Sequence, residues 1–93
     1  MDAIRFTGRI RWWNEEKGAG LAVADVPAEH IQGLGGLRQQ HVEGSINGAD
    51  FASNVMPAGG GRLALSVSKA MLGAGRAVVG DEADFEIRSV GRR

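Results

Sequence analysis

Asn47-Gly48, set between two runs in which apolar and polar residues alternate, constrains this chain more than any other feature. Both central residues of a type I′ hairpin turn need positive φ, and Asn-Gly supplies that pair. Before the turn, Val42 and Ile46 fall on one face while His41, Glu43 and Ser45 fall on the other. After it, Ala49, Phe51, Ser53 and Val55 share a face. Side chains alternate across a strand, so such spacing marks half-buried β-structure. Gly59, Gly60 and Gly61 then reverse the chain, and Leu63, Leu65 and Val67 line the strand that follows. The spacing predicts strands over residues 37–46, 49–56 and 62–67, with Pro57 closing the second. This three-stranded meander is the expected nucleus of the fold.

The remaining segments repeat the pattern. Residues 3–13 alternate, with Ile4, Phe6, Ile10 and Trp12 inward and Arg5, Thr7, Arg9, Arg11 and Trp13 outward. Gly8 lies in the apolar row, where it permits a bend or a close backbone approach. A polar turn over residues 14–18 leads to a strand over 20–26, whose expected core side is Leu21 and Val23. Pro27 followed by Glu29 suits a first helical turn, because proline loses no needed donor there and the carboxylate complements the helix dipole. A short helix is therefore predicted over 28–34, ended by Gly33, Gly35 and Gly36 and docked through Ile31 and Leu34. Ser68 reads as the N-cap of a second short helix stopped by Gly73 and Gly75. Gly80-Asp81 turns the chain into a last strand with Ala83, Phe85 and Ile87 inward, and residues 91–93 form a frayed end. The reading is all-β with two short helices: one small β-barrel of six strands over residues 1–93. A closed barrel is the economical way to hide strand edges.

Composition narrows the function. Eleven basic and eleven acidic residues cancel, whereas a protein that lives on phosphate contacts carries a positive excess. The chain has no cysteine, which excludes disulfides, thiolate zinc sites and a cysteine nucleophile. No apolar run approaches the roughly 20 residues that span a bilayer, and the first residues lack a signal-peptide core. A cytoplasmic protein without membrane association is expected. Fifteen glycines against two prolines fit many short strands joined by tight turns.

Residues 7–20, TGRIRWWNEEKGAG, resemble the opening of a cold-shock domain. Such domains bind single strands by stacking bases on exposed aromatics beside basic side chains. Here Ala19 and Leu21 occupy the two aromatic positions of that motif, and no second aromatic-histidine motif follows. A longer resemblance runs through Val26-Pro27, GSINGADF, MPAGGGRLALSVSKA and Gly80-Asp81. It is similar to an uncharacterised bacterial family of small β-barrels, domain of unknown function nineteen-oh-five. That resemblance implies a fold and no activity, cofactor or catalytic residue. Gly80-Asp81 is also similar to the glycine-aspartate box of swapped-hairpin antitoxin barrels, in which glycine permits the reversal and the carboxylate caps amides of the turn.

Weighing constellations of residues gives surfaces rather than a reaction centre. His30 and His41 are the only histidines, and neither has a third ligand at metal-site spacing. No phosphate-loop or nucleophile-elbow pattern occurs, so no catalytic residue, metal or cofactor is expected. An enzyme would need a pocket gathering His41, Glu43, Lys69 and Asp81. Arg5, Arg9, Arg11 and Trp13 form the most suggestive surface, and Arg62 beside the triple glycine is a second candidate. These arginines either contact a ligand or pair with Asp84 and Glu86 on a neighbouring strand, and Trp13 either stays open or is buried in a homodimer. A bulge would exchange the roles of Trp12 and Trp13. Asn47, Gly48, Gly80 and Asp81 are assigned to turns. The expected function is non-enzymatic binding of a partner protein or small ligand; single-stranded nucleic-acid binding is the alternative.

Overall fold

The computed structural model describes residues 3–13 and 21–90. The expected polar turn over 14–18, the first residue of the expected second strand and the end at 91–93 lie outside these. The chain folds as β1 (Ile4–Trp12), β2 (Ala22–Val26), α1 (Ala28–Ile31) running into a 3₁₀ turn (Gln32–Leu34), β3 (Gln40–Ile46), β4 (Ala49–Gly59), β5 (Arg62–Val67), α2 (Lys69–Gly75) and β6 (Glu82–Ser89). The strands close into a barrel in the order β1-β2-β5-β4-β3-β6, every pair antiparallel. The all-β barrel and the β3-β4-β5 meander are as the alternation predicts. No helix among the described residues is long and apolar enough to cross a membrane.

Residues opposite each other in an antiparallel pair share a face. Phe6 opposite Phe85, Ala24 opposite Leu65 and Ile46 opposite Phe85 therefore point into one interior. Ile10, Leu63, Leu65, Val42, Ile46, Val55 and Ile87 are fully or almost fully buried there. The Phe6 and Phe85 rings stack with centroids 5.3 Å apart. Gly8 faces Phe6: an added Cβ would lie 3.2 Å from that ring, which accounts for the gap in the apolar row.

Alternating strand direction puts the two helices at opposite rims. α1 follows the end of β2 and precedes the start of β3, while α2 joins the end of β5 to the start of β6. Ile31 and Leu34 close the first rim; Met71 and Ala77 join the core at the second. The Ser68 hydroxyl accepts a hydrogen bond from the Met71 amide at 3.1 Å, the expected N-cap. α2 runs on through Gly73 to Gly75 and ends at Arg76 in the left-handed region (φ 55°). Gly75 is packed so closely on Ile46 that a Cβ would approach its side chain to 3.1 Å.

Three further expectations are corrected. β2 turns the other way: Ala22, Ala24 and Val26 face the core, Leu21 is exposed, and Val23 is buried but outward, opposite Arg11 and Ser66. The interior of a six-stranded barrel is narrow, and alanines fit beside Ile10 and Leu65 where larger residues would overfill it. β4 does not stop before Pro57, which pairs with Leu63; a register shift between Pro57 and Gly59 accommodates the missing N–H. β3 begins at Gln40, because Gly35 and Gly36, both at positive φ, lead into bends through Arg38 and leave Leu37 exposed.

Candidate binding surface

The outer face of β1 carries the sequence-predicted surface, and closure of the barrel sets β6 and β2 on either side of it. Arg5 lies opposite Glu86, Thr7 opposite Asp84 and Arg9 opposite Glu82. The Arg5 Nε is 3.3 Å from Glu86, and the Thr7 hydroxyl donates to Asp84 at 3.0 Å. Arg9 reaches Glu82 at 3.7 Å and donates to the Gly80 carbonyl at 2.7 Å. Arg11 forms a two-pronged pair with Asp25, at 3.0 Å and 2.9 Å, and its side chain is only 23% exposed. The Arg11 hydrogen bonds hold the Asp25 carboxyl below its ordinary value of 3.8 against the opposing effect of partial burial, and the Arg11 and Arg62 charges add to the shift. The arginines are paired across strands. Glu82 and Asp25 join the predicted Glu86 as partners, while Asp84 takes a hydroxyl.

At the end of β1 the pattern changes. Trp13 is 40% exposed, and its amide donates to the Leu21 carbonyl at 2.7 Å. Leu21 is itself 41% exposed. The backbone bond that closes the β1-β2 pair thus sets an indole and an isobutyl group at adjoining positions on the second rim. Trp12, one residue earlier, is partly buried against the core. Ranking by size places Leu21 in the core; Asp25, outward at the same parity, is the sequence signal that sets it on the surface.

Arg62 stands elsewhere, at the first rim, exposed and donating only to the Gly59 carbonyl at 3.4 Å in the described contacts. The turn residues all act as turns. Asn47 (φ 49°) and Gly48 (φ 88°) adopt the type I′ signs. Asn47 also reaches outward: its amide donates to the Gly75 carbonyl at 2.8 Å, its Oδ1 accepts from the Asp84 amide at 2.9 Å, and its backbone N–H donates to the Asp84 carbonyl at 2.8 Å. Gly80 (φ 105°) donates its backbone N–H to the Ile10 carbonyl at 2.7 Å, the Ile10 amide donates to the Asp81 carbonyl at 2.9 Å, and the Asp81 carboxylate accepts from the Val78 amide at 3.1 Å. That is the capped reversal expected of a glycine-aspartate turn.

His41 and Glu43 share the outer face of β3, and no one groove gathers them with Lys69 and Asp81. The His41 backbone carbonyl accepts from the Val90 amide beyond one end of β6, while Asp81 precedes the other end. Glu43 is occupied by Arg88 at 2.8 Å. A shallow groove of about 520 Å³ crosses β3 and β6, lined by Glu43, Ser45, Asp50, Phe51, Glu86 and Arg88, and it holds none of His41, Lys69 or Asp81. Among the described residues no three acidic or histidine side chains are grouped as metal ligands.

No curated protein and no solved structure matches the chain. The family model described as Domain of unknown function (DUF1905) matches residues 6–87, most of the chain. With the barrel and its ordered turns in place, this chain belongs to the DUF1905 family.

Proposed function

We propose that the chain is a non-enzymatic, cytoplasmic binding module that takes an apolar side chain of a partner protein at the Trp13–Leu21 end of the barrel. One observation carries this reading: the indole is 40% exposed at the end of a strand whose three arginines are each paired with a carboxylate. Aromatic side chains bury about 150–250 Å² when covered, so even a partly open tryptophan is a useful anchor. Single-strand binding has less support, because guanidiniums already facing carboxylates release fewer counterions on meeting phosphate. The separation of His41 from Asp81 supports a module without chemistry.

The test is selection from a displayed random-peptide library on the folded chain, with a Trp13→Ser, Leu21→Ser double variant as counter-target. Peptides with an apolar anchor that bind the native chain and lose the variant are expected. Peptides that bind both equally, or no enrichment at all, would sink the reading. Titration with a short oligothymidylate at low and high salt is expected to be flat; a salt-sensitive quench abolished by Arg9→Ala would hand the surface to nucleic acid.

A further inference from the structure

We propose that Asn47-Gly48 is a modification site, a one-way hydrolytic switch that the intact fold holds off and whose firing undocks α2 from the barrel. Asn-Gly is the peptide pair most open to intramolecular deamidation, because glycine puts no side chain in the way of attack. The Gly48 backbone nitrogen gives up its proton and attacks the Asn47 side-chain carbonyl carbon, the bond to Nδ2 breaks, and that nitrogen takes up a proton and leaves as ammonia while a five-membered imide closes. Water then opens the imide at either carbonyl, giving aspartate or its isomer with the backbone routed through the side chain. Both residues are exposed, so water has access.

In the native fold the carbonyl carbon is not free to swing towards Gly48. Asn47 Nδ2 donates to the Gly75 carbonyl at 2.8 Å, and Oδ1 accepts from the Asp84 amide at 2.9 Å. Attack requires that both bonds break, so the reaction proceeds through local opening of this clasp. The product cannot remake it. Aspartate keeps an acceptor for the Asp84 amide but sets a second carboxylate oxygen against the Gly75 carbonyl, where a donor had been. Gly75 is the last residue of α2, and a negative charge at a helix C-terminus is unfavourable. α2 is seven residues long and holds by docking rather than by its own propensity. The isomer goes further, adding a backbone atom to a turn whose own N–H pairs with the Asp84 carbonyl.

The full-length chain is incubated in mildly alkaline buffer, folded and in urea, and the gain of an acid for an amide is followed by intact mass and peptide mapping. Conversion at Asn47 at least about tenfold slower in the folded arm is expected, since opening the clasp costs two hydrogen bonds. Equal rates in the two arms would overturn protection by the fold. Amide hydrogen exchange is then read on Asn47→Asp and on the aged acidic fraction isolated by ion exchange. The Leu72, Arg76 and Ala77 amides are expected to exchange about tenfold faster, with the Gly59–Arg62 hairpin unchanged. Unaltered α2 exchange in the aged fraction would overturn the switch, and that fraction decides the matter if Asn47→Asp does not fold. Asn47→Gly, which keeps the positive φ without the amide, is expected to show no mass change at this position; conversion elsewhere at the same rate would sink the assignment.

Discussion

β4 has a turn at each end, and the two are built alike in backbone but unlike in attachment. Asn47-Gly48 and Gly59–Gly61 all lie at positive φ. At the first, Asn47 ties the turn to α2 and β6 through three hydrogen bonds. At the second, a Cβ added to any of the three glycines would have nothing within 4 Å, and Arg62 bonds only the adjacent Gly59 carbonyl among the described contacts. A left-handed conformation therefore tells where the chain reverses and says nothing about whether the reversal is wired to the rest of the molecule. That depends on whether the turn residue carries a donor and an acceptor, and on what the fold sets within reach.

Substitutions break this contrast in a predicted order. Gly44, three residues before the first turn, comes closest to β6: a Cβ there would collide with the Glu86 carbonyl oxygen. Gly44→Ala is expected to cost at least about 3 kcal/mol, read by urea denaturation, because rigid backbone lies opposite. Gly48→Val should cost more than about 1 kcal/mol, since β-branching resists φ of 88°; wild-type-like melting would refute the type I′ assignment. Gly60→Asn, at the untethered turn, should stay within about 0.5 kcal/mol, because asparagine tolerates the left-handed region and no neighbour is crowded.

The smallest effect concerns the charge of Arg62 on Asp25. The folded Asp25 carboxyl lies below its ordinary 3.8, so its share of stability is present above that pH and is lost as pH falls through the lower folded value. With its side chain 41% exposed and Arg11 as its partner, that share is under about 1 kcal/mol. NMR titration should show the Asp25 carboxyl rising far more in Arg11→Ala than in Arg62→Ala, because the hydrogen bonds from Arg11 dominate. Equal rises would mean that the second turn is more tightly coupled than its contacts indicate.

Much of the barrel was legible wherever polar and apolar residues alternate cleanly. β1, β3, β5 and β6 face as their periodicity requires, and Trp12 and Trp13 fall on opposite sides of the strand. In β2 four of the five residues are apolar, which removes the alternation that would fix its facing. Ranking by size favoured Leu21 and Val23, while the narrow interior favoured Ala22 and Ala24. Asp25 alone fixes the parity. Pro57 reads as a terminator in the sequence, yet a bulge lets β4 continue past it. Nothing local distinguishes Gly44 from the other glycines, since its need to lack a side chain comes from Glu86, across a seam between strands far apart in the chain.

The sequence by itself determined the strand periodicity, the positive-φ turns and the absence of cysteine chemistry, because these follow from backbone preferences and side-chain types acting over a few residues. Only the tertiary structure decided which carboxylate meets which arginine and which end of β1 is left open. Thr7 and Asp84 are 77 positions apart and meet because the last strand closes on the first. Neutralisation of Arg5 and Arg9 is thus a product of barrel closure, Arg11 meets Asp25 across the consecutive pair β1–β2, and the partly exposed indole of Trp13 lies beyond Arg9, the last β1 residue paired with β6.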